Sequence, residues 1–278
     1  MPAHRHRRTL PTLVLATIGP LALLGACGNT QRAADSESIL GLLPAPPSPA
    51  EAAAWFFDPY DPDKRFRGTV LLANAPFGGE DVYIKGYLDH LKDSDASVRA
   101  AAAFALGMHG NPEHVPEIVP LASDPDRIVR LSSARALQRL HNPVAITPLL
   151  ERLDPAKEIE ADIRAESASA LGQYAEPRVL QGLIRGLADE RLTVTRNSAQ
   201  SLATLTGQNF GEDRRAWLDW ITATKEPFVG QRAYVYPIYW RDRTWLEYLP
   251  FWPEPPNEQA ATPVGAPALP TASNTPRS

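Results

Sequence analysis

The 278-residue chain has a single cysteine, which excludes an intramolecular disulfide and any metal site built from several thiolates. Basic charge is not in excess, since 28 Lys and Arg face 32 Asp and Glu for a formal net charge of -4. The broadly basic surface that neutralises phosphates is therefore lacking, and nucleic acid is not an expected partner. Residues 10–24 form one apolar run, but it is about 15 residues long and broken by Pro11, Gly19 and Pro20, too short to span a bilayer as a stable helix. Motifs for covalent or phosphoryl chemistry are missing too, with no Gly-x-Ser-x-Gly and no phosphate-cradling glycine loop. What is present is an ordinary globular balance, 44% hydrophobic and 22% charged, together with an excess of proline, 28 residues.

The cysteine sits at a telling place. Arg5, Arg7 and Arg8 precede the apolar run with no acid among them, the charged-then-apolar order of a signal peptide over residues 1–26. The run ends Leu24-Gly25-Ala26-Cys27, which resembles the lipobox of bacterial lipoproteins. That resemblance implies a diacylglyceryl group on the Cys27 sulfur, cleavage before Cys27, and acylation, palmitate included, of the new amino group. Two or three acyl chains at about 0.8 kcal/mol per buried methylene anchor stably where one would not. The expected location is the cell envelope, lipid-anchored on the extracytoplasmic side of a membrane. Gly28, in place of the Asp that retains some lipoproteins in the inner membrane, leaves the outer membrane open. The competing reading is a secretory signal with an incidental cysteine.

Residues 27–47 are small, polar and then proline-rich, the composition of a tether. Ser48-Pro49-Ala50-Glu51 is a capping box with Pro at the first helical position, so folded structure is expected from 48. At the other end, residues 253–278 are rich in Pro, Ala, Thr and Ser and predict a disordered tail.

Between these limits the chain repeats. Segments beginning at Asp93, Asp124, Glu158 and Asp189 align, and a diverged copy begins at Asp61. The apolar anchors Phe66, Val98, Val129, Ile163 and Val194 are spaced 32, 31, 34 and 31 residues apart, with Pro155-Ala156-Lys157 as the insertion in the longest. Val98, Ala102, Ala105 and Leu106 form a helical stripe that recurs as Val129, Ser133, Ala136, Leu137 and as Ile163, Ser167, Ala170, Leu171. The acid five residues before each anchor is expected to cap its helix. Shorter apolar stretches at Val115–Leu121, Ile146–Leu153 and Val179–Leu187 supply a second helix per unit. Two helices cannot cover their own apolar face, so the units must stack. The fold class predicted is all-α, an α-solenoid of about five helix pairs over residues 48–222, closed by an aromatic C-terminal cap or strap over 223–252.

The pattern Asp-x-Asp-x-x-Val-Arg-x-x-Ala-Ala-x-Ala-Leu-Gly, clearest at Asp93–Gly107, resembles HEAT repeats of the phycobilisome-lyase-like (EZ-HEAT) group. That group holds bilin lyases, deoxyhypusine hydroxylase and many proteins that only bind partners. The hydroxylase holds its irons with repeated His-Glu pairs, and this chain has no His-Glu dipeptide, so that activity is not carried over. Glu113-His114 and His109 read as solvated loop residues, and no metal or other cofactor is expected.

Acid and arginine four residues apart, as in Asp63/Arg67, Asp95/Arg99, Asp126/Arg130 and Glu160/Arg164, are expected to pair along each helix and to tie neighbouring units together. In HEAT solenoids the second helix lines the concave face, which implies that Phe104, Met108, Arg135 and Arg139 form a partner-binding patch there. Residues 210–252 hold 12 of the 22 aromatic residues. Trp217 and Trp220 suit a closing helix, while Tyr234 to Trp252, with Trp240 and Trp245, reads as a strap on that cap or as an aromatic binding surface. The function expected is a membrane-anchored, non-catalytic protein-interaction scaffold. The alternatives are a HEAT-like enzyme or accessory lyase, and a lipoprotein that binds cell-wall glycan.

A Cys27→Ser variant is expected to stay unprocessed and to leave the membrane fraction on a high-salt wash, read by fractionation and intact mass. Retention after the wash would contradict the anchor.

Overall fold

The computed structural model describes residues 47–237 and 260–268. Eleven helices fill this part: α1 (Pro49–Phe56), α2 (Pro62–Ala73), α3 (Asp81–His90), α4 (Ala96–His109), α5 (Val115–Ile118), α6 (Arg127–Arg139), α7 (Ile146–Leu153), α8 (Ala161–Leu171), α9 (Pro177–Gly186), α10 (Leu192–Thr206) and α11 (Arg214–Ala223). The even-numbered helices α2 to α10 pack side by side as one row, and α1, α3, α5, α7 and α9 each pack behind the next helix of that row. The described residues are an all-helical α-solenoid of five such pairs, with α11 packed at its end.

Local chemistry sets the helix ends. Ser48 and Glu51 form the reciprocal capping box of α1. The side chains of Asp61, Asp95, Asp126 and Asp213 accept from the first free amides of α2, α4, α6 and α11. Proline also reshapes one element, because the helix expected over Val115–Leu121 is only the short α5 followed by a 3-10 turn at Val119–Ser123. Pro120 cannot donate to a continuing α-helix, and the chain tightens there instead.

The anchors Val98, Val129, Ile163 and Val194 and the following Leu106, Leu137, Leu171 and Leu202 are fully buried. Small residues let the row close up. A Cβ on Gly107 would lie 3.0 Å from Ala136 Cα, so α4 and α6 touch almost backbone to backbone.

The first unit departs from the expected register. Phe66 is 38% exposed, and the buried positions of α2 are instead Gly68, Thr69, Leu72 and Ala73. Matching Arg65 to Arg99 puts Lys64 at the anchor position, so this unit has no apolar anchor of its own. Phe56 of α1 replaces it, fully buried beside Gly86, where a Cβ would sit 2.3 Å from the ring.

The charged pairs also take different partners from those expected. Each arginine reaches forward to the acid before the next helix of the row, not to the acid four residues behind it. Arg65 donates Nε and Nη2 to Asp93 at 2.7 and 2.9 Å, Arg99 to Asp124 at 2.8 and 2.9 Å, Arg130 to Glu158 at 2.8 and 3.1 Å, and Arg164 to Asp189 at 2.7 and 3.1 Å. The third nitrogen, Nη1, donates to carbonyls of the arginine's own unit, such as Glu158 and Ile159 for Arg164. Each acid also accepts the amide two residues on. Of the acids expected to cap, Asp61 does so, while Asp93, Asp124, Glu158 and Asp189 bind arginine, and Asp95 and Asp126, expected to bind arginine, cap. The reason is reach: only the residue immediately before the first helical turn can meet its free amides. The ladder ends at α10, where Thr195 stands in the arginine's place and donates to Leu192 O.

These pairs are desolvated, with side-chain exposures of 8% and 2% for Arg164 and Asp189. Arg164→Ala strands a buried carboxylate and is expected to cost about 3–5 kcal/mol in urea unfolding. Arg127→Ala breaks only exposed pairs with Glu160 and Asp162 and is expected to cost under about 1 kcal/mol. Acid should destabilise in two stages. Burial holds His90 and His141 below the ordinary 6.5, so their contribution is present above that value and lost as pH falls below it. Burial pushes Asp93, Glu158 and Asp189 up, but the arginine and amide bonds outweigh it and hold them below the ordinary 3.8 to 4.5. Their contribution is present above that range and lost below it, and thermal melts across pH read both losses.

Candidate protein-interaction face

Residues at i, i+4 and i+8 make one stripe on each helix of the row. On α2 these are Phe66, Val70 and Asn74, on α4 Ala100, Phe104 and Met108, on α6 Leu131, Arg135 and Arg139, on α8 Ala165, Ser169 and Gln173, and on α10 Arg196, Gln200 and Thr204. The face therefore grades from apolar at α2 and α4 to polar at α8 and α10.

The four expected patch residues fall on two adjacent helices of this face but into different surroundings. Phe104 is half-buried and packed against the core, and Met108 is half-buried beside it in the stripe. Arg135 Nε donates to Glu166 Oε1 at 3.1 Å, and Gln138 Nε2 donates to the other carboxylate oxygen at 2.6 Å. The guanidinium of Arg139 lies 5.4 Å from the centre of the Tyr236 ring, a cation–π contact. Trp240, Trp245 and Cys27 lie outside the described residues.

Tyr236 belongs to an extended strap, residues 231–237, which is held by the helix row. Arg232 N donates to Thr204 O at 2.8 Å, and its Nη2 donates to Gly207 O at 3.1 Å. Gly207 has φ 73° and lies so close to Gly230 that a Cβ would come within 2.3 Å of its carbonyl oxygen. The strap expected over Tyr234 to Trp252 lies within the described residues only as far as Pro237, and this part is held at the ends of α10 and α6. Between strap and row is a cavity of about 230 Å³, lined by Glu166, Ser169, Asn197, Gln200 and Tyr234 among others. Burial pushes the Tyr234 hydroxyl far up, so it stays protonated there.

A second segment joins the strap. Tyr236 N donates to Ala261 O at 3.2 Å, Val264 N to Arg139 O at 2.8 Å, and His141 N to Val264 O at 2.9 Å. These bonds form a parallel bridge between Val264 and Leu140, where the chain turns extended after α6. Residues 260–268 lie in the stretch expected to be a disordered tail, and that expectation does not hold for them. Tail composition carries no trace of a partner, and only the Pro263-Val264-Gly265 turn signal marks the place.

The histidines among the described residues are engaged structurally. His109 Nε2 is 2.7 Å from Ala73 O with Gly78 and Gly79 against the ring, so it is not the solvated loop residue expected. His114 Nδ1 accepts from Asn111 N at 2.9 Å. His141 stacks on Tyr174 at 4.8 Å with Nδ1 3.1 Å from Gln173 Oε1. Among the described residues no group of three or more His, Cys, Asp or Glu is placed to hold a metal, and no helix is long and apolar enough to cross a membrane.

Residues 84–162 match the family model of HEAT repeats. The matched stretch runs from α3 into α8, so it contains Phe104, Met108, Arg135 and Arg139. Similar solved structures include a designed armadillo repeat protein, 16% identical over 66% of this chain and 94% of that one, with a TM-score of 0.46. Another is a designed armadillo repeat protein in complex with the peptide (KR)4, 17% identical over 63% of this chain and 87% of that one, also at 0.46. No curated protein matches the sequence.

The cap and the strap should differ in weight. Trp217 is fully buried, its Nε1 donating to Gly211 O at 2.9 Å, and Trp217→Ala is expected to cost about 3–5 kcal/mol. Tyr236→Ala removes a half-buried cation–π contact and is expected to cost about 1 kcal/mol, both read by chemical unfolding.

Proposed function

We propose that this chain is a non-catalytic protein-interaction scaffold, lipid-anchored through Cys27 on the extracytoplasmic side of the bacterial envelope. The observation that carries the scaffold reading is that one end of the helix-row face already holds extended polypeptide. Residues 231–237 and 260–268 lie there, secured by main-chain hydrogen bonds at Thr204, Arg139 and His141. The other end offers Phe66, Phe104 and Met108, an aromatic and thioether surface of the kind enriched at binding centres. The HEAT match over α3 to α8 accords with a scaffold built to bind proteins. The anchor rests on the Leu24–Cys27 motif and on the charged and apolar residues before it. In this reading Phe104 and Met108 meet the partner, while Arg135 and Arg139 shape the adjoining face.

A photo-cross-linking residue placed at Phe66 in cells is expected to trap a discrete protein adduct that Phe104→Glu abolishes. The same residue at Gln181, exposed on α9 in the other row, is expected to trap none. Equal adducts at both positions, or indifference to Phe104→Glu, would contradict the assignment.

A further inference from the structure

The seat of residues 260–268 is more selective than a tail resting on a surface would need. Both main-chain groups of Val264 are used, its N–H by Arg139 O and its carbonyl by His141 N, while its side chain is 48% exposed. Recognition at this residue is thus by backbone, indifferent to side chain. Selection falls on the neighbours. Pro263 is buried, and Ala266 N closes a turn onto Pro263 O at 3.1 Å. That turn needs positive φ at its third residue, supplied by Gly265 at 81°. Any side chain there would also strike Pro112, whose Cγ lies 2.3 Å from where a Cβ would sit. Pro112 is itself fixed, since Asn142 Nδ2 donates to its carbonyl at 2.9 Å. The notch therefore reads a Pro-X-Gly turn whose middle residue pairs in parallel with Leu140.

We infer that this notch, formed by Arg139, Leu140, His141 and Pro112, is a recognition site for Pro-X-Gly turn segments of a partner protein, and that residues 260–268 occupy it in cis. The inference deepens the scaffold reading by naming the chemistry of a partner segment. The cis occupant is exchangeable on energetic grounds. Two main-chain hydrogen bonds to the notch and one buried proline make a weak seat. It is held by the effective concentration that covalent connection in cis provides, of millimolar order. A partner segment with further contacts on the apolar end of the face can displace it.

The test uses the full chain, a Gly265→Val variant that ejects the segment without touching the helix row, and a synthetic nonapeptide with the sequence of residues 260–268. Amide exchange at His141 is the readout. Expected are a protected His141 in the native chain, roughly tenfold or faster exchange in Gly265→Val, and renewed protection of the variant by about 1 mM nonapeptide. The native chain should ignore the peptide, and a peptide with Val in the Gly position should protect neither. Unchanged His141 exchange in Gly265→Val, no rescue by the nonapeptide, or equal binding of the peptide to both chains would overturn the inference. So would His141 protection that vanishes on dilution of the native chain, which would assign the seat to the tail of a second copy. A missing Phe66 adduct in cells would count against the scaffold reading and leave this result standing, so the two failures are distinguishable.

Discussion

The arginine–carboxylate ladder is the constraint on which the rest of the structure depends. Four guanidinium groups, at Arg65, Arg99, Arg130 and Arg164, each bridge two units. Nε and Nη2 hold the carboxylate of the following unit and Nη1 holds carbonyls of the arginine's own unit. Buried ions are costly unless nearly every donor and acceptor is matched, and here the acid, the loop carbonyls and a loop amide supply the matches. The geometry of one linkage therefore sets the spacing between neighbouring helices of the row. The small residues at Gly107, Ala136, Gly172 and Ser201 can then meet, and the stripes line up as one face.

That face has two uses of the same surface. Where α6 ends, Leu140 runs extended, and Arg139 O and His141 N pair with another segment at Val264. Nearer the start of the row, Phe66, Phe104 and Leu131 give apolar area with fewer polar demands. The face thus has backbone groups where α6 ends and aromatic area nearer its start.

Much of the fold is legible in the residues because it follows from a period. Val98, Val129, Ile163 and Val194 recur with their leucines at helical spacing, and burial must follow that spacing once units stack. The partners of Arg99 and Arg130 are not legible in the same way. An acid four residues back and an acid in the next unit are equally available on paper, and the choice depends on where the helix starts and which acid is left free. The first unit misleads for a related reason: Lys64 takes the anchor position, and the apolar side chain comes from Phe56, outside the repeat. The candidate face was readable as positions on helices, but Arg139 reaching Tyr236 and Val264 reaching Leu140 are contacts between segments about a hundred residues apart or more, invisible to any local pattern.

The central claim is that the ladder couples the units, and a double-mutant cycle on Arg164 and Asp189 with Arg164→Met and Asp189→Asn measures it most directly. A coupling energy of about 2 kcal/mol or more in unfolding is the predicted result, because each single change leaves a buried group unmatched. A coupling below about 0.5 kcal/mol, the value of an exposed pair, would contradict the account.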